Sequence, residues 1–191
     1  MGNNMKTALL VIDYINGILN GSCKEYAEKY PIVKNTNKVI AFCRSQYIPI
    51  YHVRLGFDGN YTGLPKHSLI FSQAKQKGLF QIGNNDAEFI DEIDIQPSDK
   101  VINKTAVSPF HSEGLLDSLQ ALNIEKLTFT GVATDNAINL GVREAHDIGF
   151  YTVIIEDACG ASSEEFHQWS IALLKKIANE INTTDDFIKK R

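Results

Sequence analysis

Two periodicities alternate along this chain, and that alternation constrains its fold more than any other feature. Short apolar runs rich in β-branched residues are separated by longer segments whose apolar residues recur at helical spacing. A strand that must return parallel to its neighbour needs a crossover, so the pattern predicts a parallel sheet joined by right-handed helical connections. Six strands are expected: Thr7 to Ile12, Ile48 to Val53, Lys100 to Asn103, Leu127 to Thr130, Tyr151 to Glu156, and a short one near Ala178 to Ile181. Between them, Val33 to Gln46 sets Val33, Thr36, Ile40 and Cys43 on one helical stripe. Glu113 to Leu122 repeats Leu115, Leu116, Leu119 and Leu122 in the same way. Ser162 with Glu165 has the spacing of a capping box that opens a helix through Lys176, and Thr183 with Asp186 is a weaker version. The segment from Gly56 to Asn85, richer in Gly, Asn, Gln and Lys, reads as a loop and short helix covering a site. Met1 to Lys6 reads as a frayed end.

Composition narrows the partners. At 191 residues, with 43% apolar and 22% charged residues, the chain can bury one sizeable core, so residues 1–191 are expected to form a single domain. The net charge of −4 comes without a basic stripe, which argues against a nucleic-acid partner. No apolar run approaches the roughly 20 residues of a membrane helix, and the N-terminus lacks a signal pattern. Cys23, Cys43 and Cys159 form neither a disulfide framework nor a zinc motif. A cytoplasmic protein in a reducing compartment is the expectation.

In an open parallel sheet, ligands bind beyond the carboxyl ends of the strands, where strand order reverses. That rule nominates Asp13, Arg54, Lys104, the Gly131 to Thr134 turn, and Asp157 with Cys159. Asp13 ends an apolar strand, where desolvation can raise its pKa and suit it to proton transfer; it can equally cap a neighbouring loop. Lys104 can steady a carboxylate or an anionic substrate, or be a solvated loop lysine. The run Thr130-Gly131-Val132-Ala133-Thr134-Asp135-Asn136 leads from a strand into a helix, whose free N–H groups can bind an anion or stabilise an oxyanion. Taken alone, it is an ordinary capped strand-to-helix junction.

Taken together, these stretches resemble the isochorismatase-like (cysteine hydrolase) superfamily across nearly the whole chain. The matching segments are Ala8 to Asp13, Val101 to Lys104 with Ser108-Pro109-Phe110, Thr130 to Asp135, and Ala145-His146-Asp147 leading to Glu156-Asp157-Ala158. The resemblance implies a three-layer α/β/α domain with a parallel sheet of order 3-2-1-4-5-6, in which Asp13, Lys104 and residue 137 converge on one pocket. It also implies a cis peptide between Val132 and Ala133, with backbone oxyanion donors at Ala133 and Ala137.

The resemblance breaks at the nucleophile. The position that carries Cys in most members is Ala137 here, and a methyl group cannot attack a carbonyl. Metal-binding members use an Asp and two His after the second strand, whereas Tyr51 to Phe57 offers only His52, so no metal and no cofactor are expected. His52 reads as a strand histidine whose ring is satisfied by the backbone, or as a residue orienting substrate. Ile15 stands where many members have a Gln contacting substrate. Arg54 is a candidate for holding a substrate carboxylate, or a surface ion pair; Phe57, Phe110 and Asn136 are further candidate substrate contacts. Cys159 is placed on the rim but lacks a setting that would activate it.

Three functions remain open from the sequence. The first is metal-independent hydrolysis of a small anionic substrate such as a vinyl ether, with Asp13 as general acid/base. The second is an amidase-type cysteine hydrolase in which Ala137 is an engineered replacement of the nucleophile, and the third is a non-catalytic binding protein of the same fold. A homo-oligomer, with apolar faces near Trp169, Ile171 and Leu174, is also expected from the resemblance.

Overall fold

The computed structural model describes residues 5–189. Six strands form one parallel sheet of order β3-β2-β1-β4-β5-β6: β1 (Thr7–Ile12), β2 (Ile50–Leu55), β3 (Lys100–Lys104), β4 (Lys126–Val132), β5 (Tyr151–Gly160) and β6 (Glu180–Asn182). The central β1 is buried along its whole length, as expected of a parallel strand covered on both faces. Helices α1 (Lys24–Lys29), α2 (Ile32–Ser45), α3 (Ala74–Lys77), α4 (Leu115–Ala121), α5 (Asn139–Ile148), α6 (Glu164–Leu174) and α7 (Thr184–Lys189) complete the chain.

The period-2 alternation of β1 divides the core. Leu9 and Val11 pack with Val39, Ile40 and Cys43 of α2 and Phe187 of α7, while Ala8, Leu10 and Ile12 pack with Leu115, Leu119, Val142, Ala145, Ile171 and Leu174 of α4, α5 and α6. A third apolar cluster, including Phe57, Tyr61 and Phe71, lies above β2 in the 56–85 connection. That connection has only the single turn of α3 as α-helix.

Several boundaries shift from the expected ones. β5 runs four residues past Glu156, so Asp157 and Cys159 lie inside a strand and not on a rim. The Asp157 carboxylate accepts bonds from Thr184 N (2.7 Å) and Thr184 Oγ1 (2.8 Å), which ties β5 to the start of α7. Ser163, one residue after the expected cap, accepts from Phe166 N and opens α6. Of the expected frayed end, Met1 to Asn4 lie outside the described residues. Lys6 is tied down, its carbonyl accepting from Glu125 N (2.8 Å) and Lys126 N (3.0 Å). On α6, Ile171 and Leu174 face the sheet; the exposed apolar residues are Phe166, Trp169 and Leu173. Among the described residues no helix is long and apolar enough to cross a membrane.

Gly131 shows why β1 and β4 can meet so closely at the switch point. Its φ is +139°, and a Cβ there would overlap the Ile12 carbonyl and lie 2.8 Å from Ile12 N, both backbone atoms of the central strand. Gly131→Ala should therefore cost about 3 kcal/mol or more. A melting curve should then show a loss of roughly 6–12 °C in a chain of this size. An unchanged melting temperature would mean that β1 can move aside.

Candidate active site

β1 ends at Ile12, and Asp13 turns the chain with a φ of +57°, a left-handed conformation that Asp tolerates better than most residues. Its backbone N–H is held by the Val53 carbonyl at 2.8 Å, and its Oδ1 accepts from Leu55 N at 2.8 Å. The other oxygen, Oδ2, pairs with Lys104 Nζ at 2.8 Å. Lys104 arrives from the end of β3 and also donates to the carbonyls of Ala106 and Val107, both at 3.0 Å. Both side chains are almost completely buried, each residue only 2% exposed. Burial pushes the Asp13 carboxyl above the usual carboxylate range, with Lys104 and the Leu55 N–H opposing it.

On the other side of the pair, β4 passes through a cis peptide between Val132 and Ala133. A π-helical turn, Thr134–Ile138, then leads into α5. The Ala133 carbonyl accepts from both Asn136 N (3.0 Å) and Ile138 N (3.2 Å), which tightens the turn. Thr134 Oγ1 anchors it from below, donating to the Gly160 carbonyl and meeting His167 Nδ1, each at 2.9 Å. That His167 contact had no signal in the sequence, because residues 134 and 167 belong to separate crossovers.

These elements enclose a cavity of about 140 Å³. Asp13, Lys104, Ala133, Asn136 and Ala137 all line it, so three segments far apart in sequence meet at one point. The remaining wall is apolar apart from Ser22: Ile18, Leu55, Ile70, Phe71 and Val107. Of these, Ile70 and Phe71 come from the connection expected to cover the site. The others carry no motif and become visible only once the chain is folded. A larger open groove of about 520 Å³ beside Asn103, Thr105 and His111 reaches neither Asp13 nor Lys104.

Other nominated residues stand elsewhere. The Arg54 guanidinium meets Glu88 Oε2 (2.7 Å), Asn103 Oδ1 (2.9 Å) and the Ala87 carbonyl (3.2 Å), and does not line the cavity. Phe57 is buried behind Phe71, ring centroids 5.8 Å apart, and Phe110 stacks on Phe150 at 6.3 Å. The His52 ring pairs not with backbone but with Asp99, whose Oδ2 lies 3.2 Å from Nε2 and 2.8 Å from Arg44 Nη2, while the ring Nδ1 is buried without a hydrogen-bond partner among the described residues. Burial lowers the pKa of His52. Cys159 is wholly buried, and burial pushes its thiol far up.

The isochorismatase domain profile matches residues 7–186, almost the whole chain. The chain belongs to the isochorismatase family. The fold agrees: a cysteine hydrolase from Pseudomonas syringae pv. phaseolicola superposes with a TM-score of 0.86 at 18% identity, covering 100% of this chain and 98% of the other. N-carbamoylsarcosine amidase from Thermoplasma acidophilum does so at 0.74 and 21%, covering 95% and 98%. In sequence, the chain is 27% identical to ureidoacrylate amidohydrolase RutB of Acinetobacter baylyi, over 96% of this chain and 82% of that protein. It is 25% identical to the isochorismatase family protein YwoC of Bacillus subtilis, over 97% and 94%. The family is one of hydrolases.

The Asp13–Lys104 pair has a stability consequence that this family site makes measurable. Lys104→Met keeps the length of the side chain but leaves the carboxyl buried without its counter-charge, which should cost about 3–5 kcal/mol at pH values where the carboxyl is ionised. The sign with pH follows from the raised pKa of Asp13. Below it the carboxyl is neutral and the variant's loss shrinks; above it the charge must form, and the loss grows. Chemical denaturation across a pH series reads the difference, and a loss that does not grow with pH anywhere in the series would contradict a buried, lysine-dependent carboxylate.

Proposed function

We propose that this chain is a metal-independent hydrolase in which Asp13 transfers a proton to a small substrate, without a covalent intermediate. One observation carries the reading: a buried carboxyl, held by Lys104 and pushed toward its protonated form, lines the same small cavity as the Ala137 methyl. With no nucleophile at residue 137, the group left to act is the acid. A vinyl ether suits it. The Asp13 carboxyl would protonate the methylene carbon, leaving an oxocarbenium ion; water would add and return a proton to the Asp13 carboxylate, and the hemiketal would collapse to a carbonyl compound and an alcohol. As the proton leaves, a carboxylate forms 2.8 Å from the Lys104 ammonium. Lys104 thus stabilises the charge that develops in the transition state more than the neutral acid before it. The backbone around Ala133 and Ala137 would face the substrate oxygen.

A second reading is favoured by the relatives, since RutB and the Thermoplasma protein are named as an amidohydrolase and an amidase. In that reading the cavity is an amidase site whose thiol has been replaced by the Ala137 methyl. The deciding experiment is hydrolysis of small vinyl ethers and small amides by the unchanged protein, by Asp13→Asn and by Ala137→Cys. Acid-dependent cleavage of the ether supports the first reading. Amide cleavage gained only with the thiol supports the second.

A further inference from the structure

We infer that the substrate of this cavity is an uncharged molecule whose apolar part packs against Ile18, Leu55, Ile70, Phe71 and Val107. The inference rests on reading the Asp13 cavity as the active site. An anionic substrate was the expectation from Lys104 and Arg54, yet neither side chain offers it a donor. An ammonium has three N–H groups. Those of Lys104 are taken by Asp13 Oδ2 (2.8 Å) and by the Ala106 and Val107 carbonyls (3.0 Å each). Arg54 is turned to Glu88 and Asn103, outside the cavity. In the 134–138 turn, the N–H groups of Asn136 and Ile138 already point back to the Ala133 carbonyl. The side chains that line the cavity beyond the ion pair are neutral: two are polar, Ser22 and Asn136, and the rest form an apolar wall.

A bound carboxylate would raise the pKa of Asp13 further, which is the argument for an anion. Holding it there, however, would mean pulling the ammonium away from three acceptors or leaving the charge against apolar side chains, a desolvation cost that a neutral molecule does not meet. Burial raises the Asp13 pKa against the opposing pull of Lys104 without any help from a substrate charge.

Two vinyl ethers of nearly equal size separate the cases: 2-methoxyacrylamide, which is neutral, and 2-methoxyacrylate, which is an anion at neutral pH. Ligand-observed NMR titration on the intact, unmodified protein should show the amide binding at least about 10-fold more tightly than the acid. Ile70 is 64% exposed at the cavity mouth, so Ile70→Arg should fold normally, and it should shift that ratio about 10-fold toward the acid. Tighter binding of the acid by the unmodified protein, failure of the amide to bind, or a ratio untouched by Ile70→Arg would each overturn the inference. Methanol release measured in the same samples tests the proton-transfer reading separately. Amide that binds but releases no methanol refutes that reading and leaves the neutral-substrate inference standing. Methanol released from the acid alone overturns the inference and leaves the chemistry standing.

Discussion

Asp13→Asn should lower vinyl-ether turnover by about 10² to 10⁴, the usual loss when a positioned general acid is removed. The amide keeps the size of the side chain and can still accept from Leu55 N through its oxygen, but it has no proton acidic enough for carbon. With that oxygen on Leu55 N, the amide NH2 faces the Lys104 ammonium, which keeps only its two carbonyl acceptors, so stability is lost and turnover is compared at temperatures where the variant's melting curve shows it folded. The unchanged protein supplies an independent check. Its turnover depends on the protonated carboxyl, so it should be present at low pH and be lost as pH rises through the raised pKa of Asp13. Full activity in the Asn variant, or activity that rises with pH over the same range, would exclude Asp13 as the acid.

Ala137→Cys should turn a chain without a reactive thiol into one with a single such group. The three cysteines of the unchanged protein are buried, and burial pushes the Cys23 thiol up to about 11 and that of Cys159 further. Iodoacetamide is therefore expected to leave the unchanged protein almost unmodified at neutral pH. A thiol at position 137 would instead enter the cavity beside Asp13 and Lys104, at the head of the helical segment that continues into α5. Peptide mass mapping should find alkylation at that position. Hydrolysis of a small neutral amide should rise by about 10³-fold or more over the unchanged protein, since a missing nucleophile is among the costliest losses a covalent mechanism can suffer. A variant as inert as its parent would show that the cavity is not arranged for amide chemistry.

The fold class, the sheet order through the resemblance, and the convergence of Asp13, Lys104 and Ala137 were legible in the order of residues. These are consequences of position: each residue lies at or beyond the carboxyl end of a strand of the same parallel sheet, and apolar runs of strand length mark those ends whatever the loops do. The limits of β5 were less legible, because Asp157 and Cys159 read as loop chemistry. Only in the folded chain does Asp157 find Thr184, which lets a polar residue stay within a strand. His52 is the same case, since its partner Asp99 lies across the sheet edge at a spacing no local pattern encodes. Which polar groups stay open to a substrate is likewise a matter of packing. Arg54 and Lys104 look like anion donors in the sequence, and what they bind depends on Glu88, Asn103 and the Ala106 and Val107 carbonyls. A side chain's type sets which bonds it can make, but only the packed chain decides which of them are still available to a substrate.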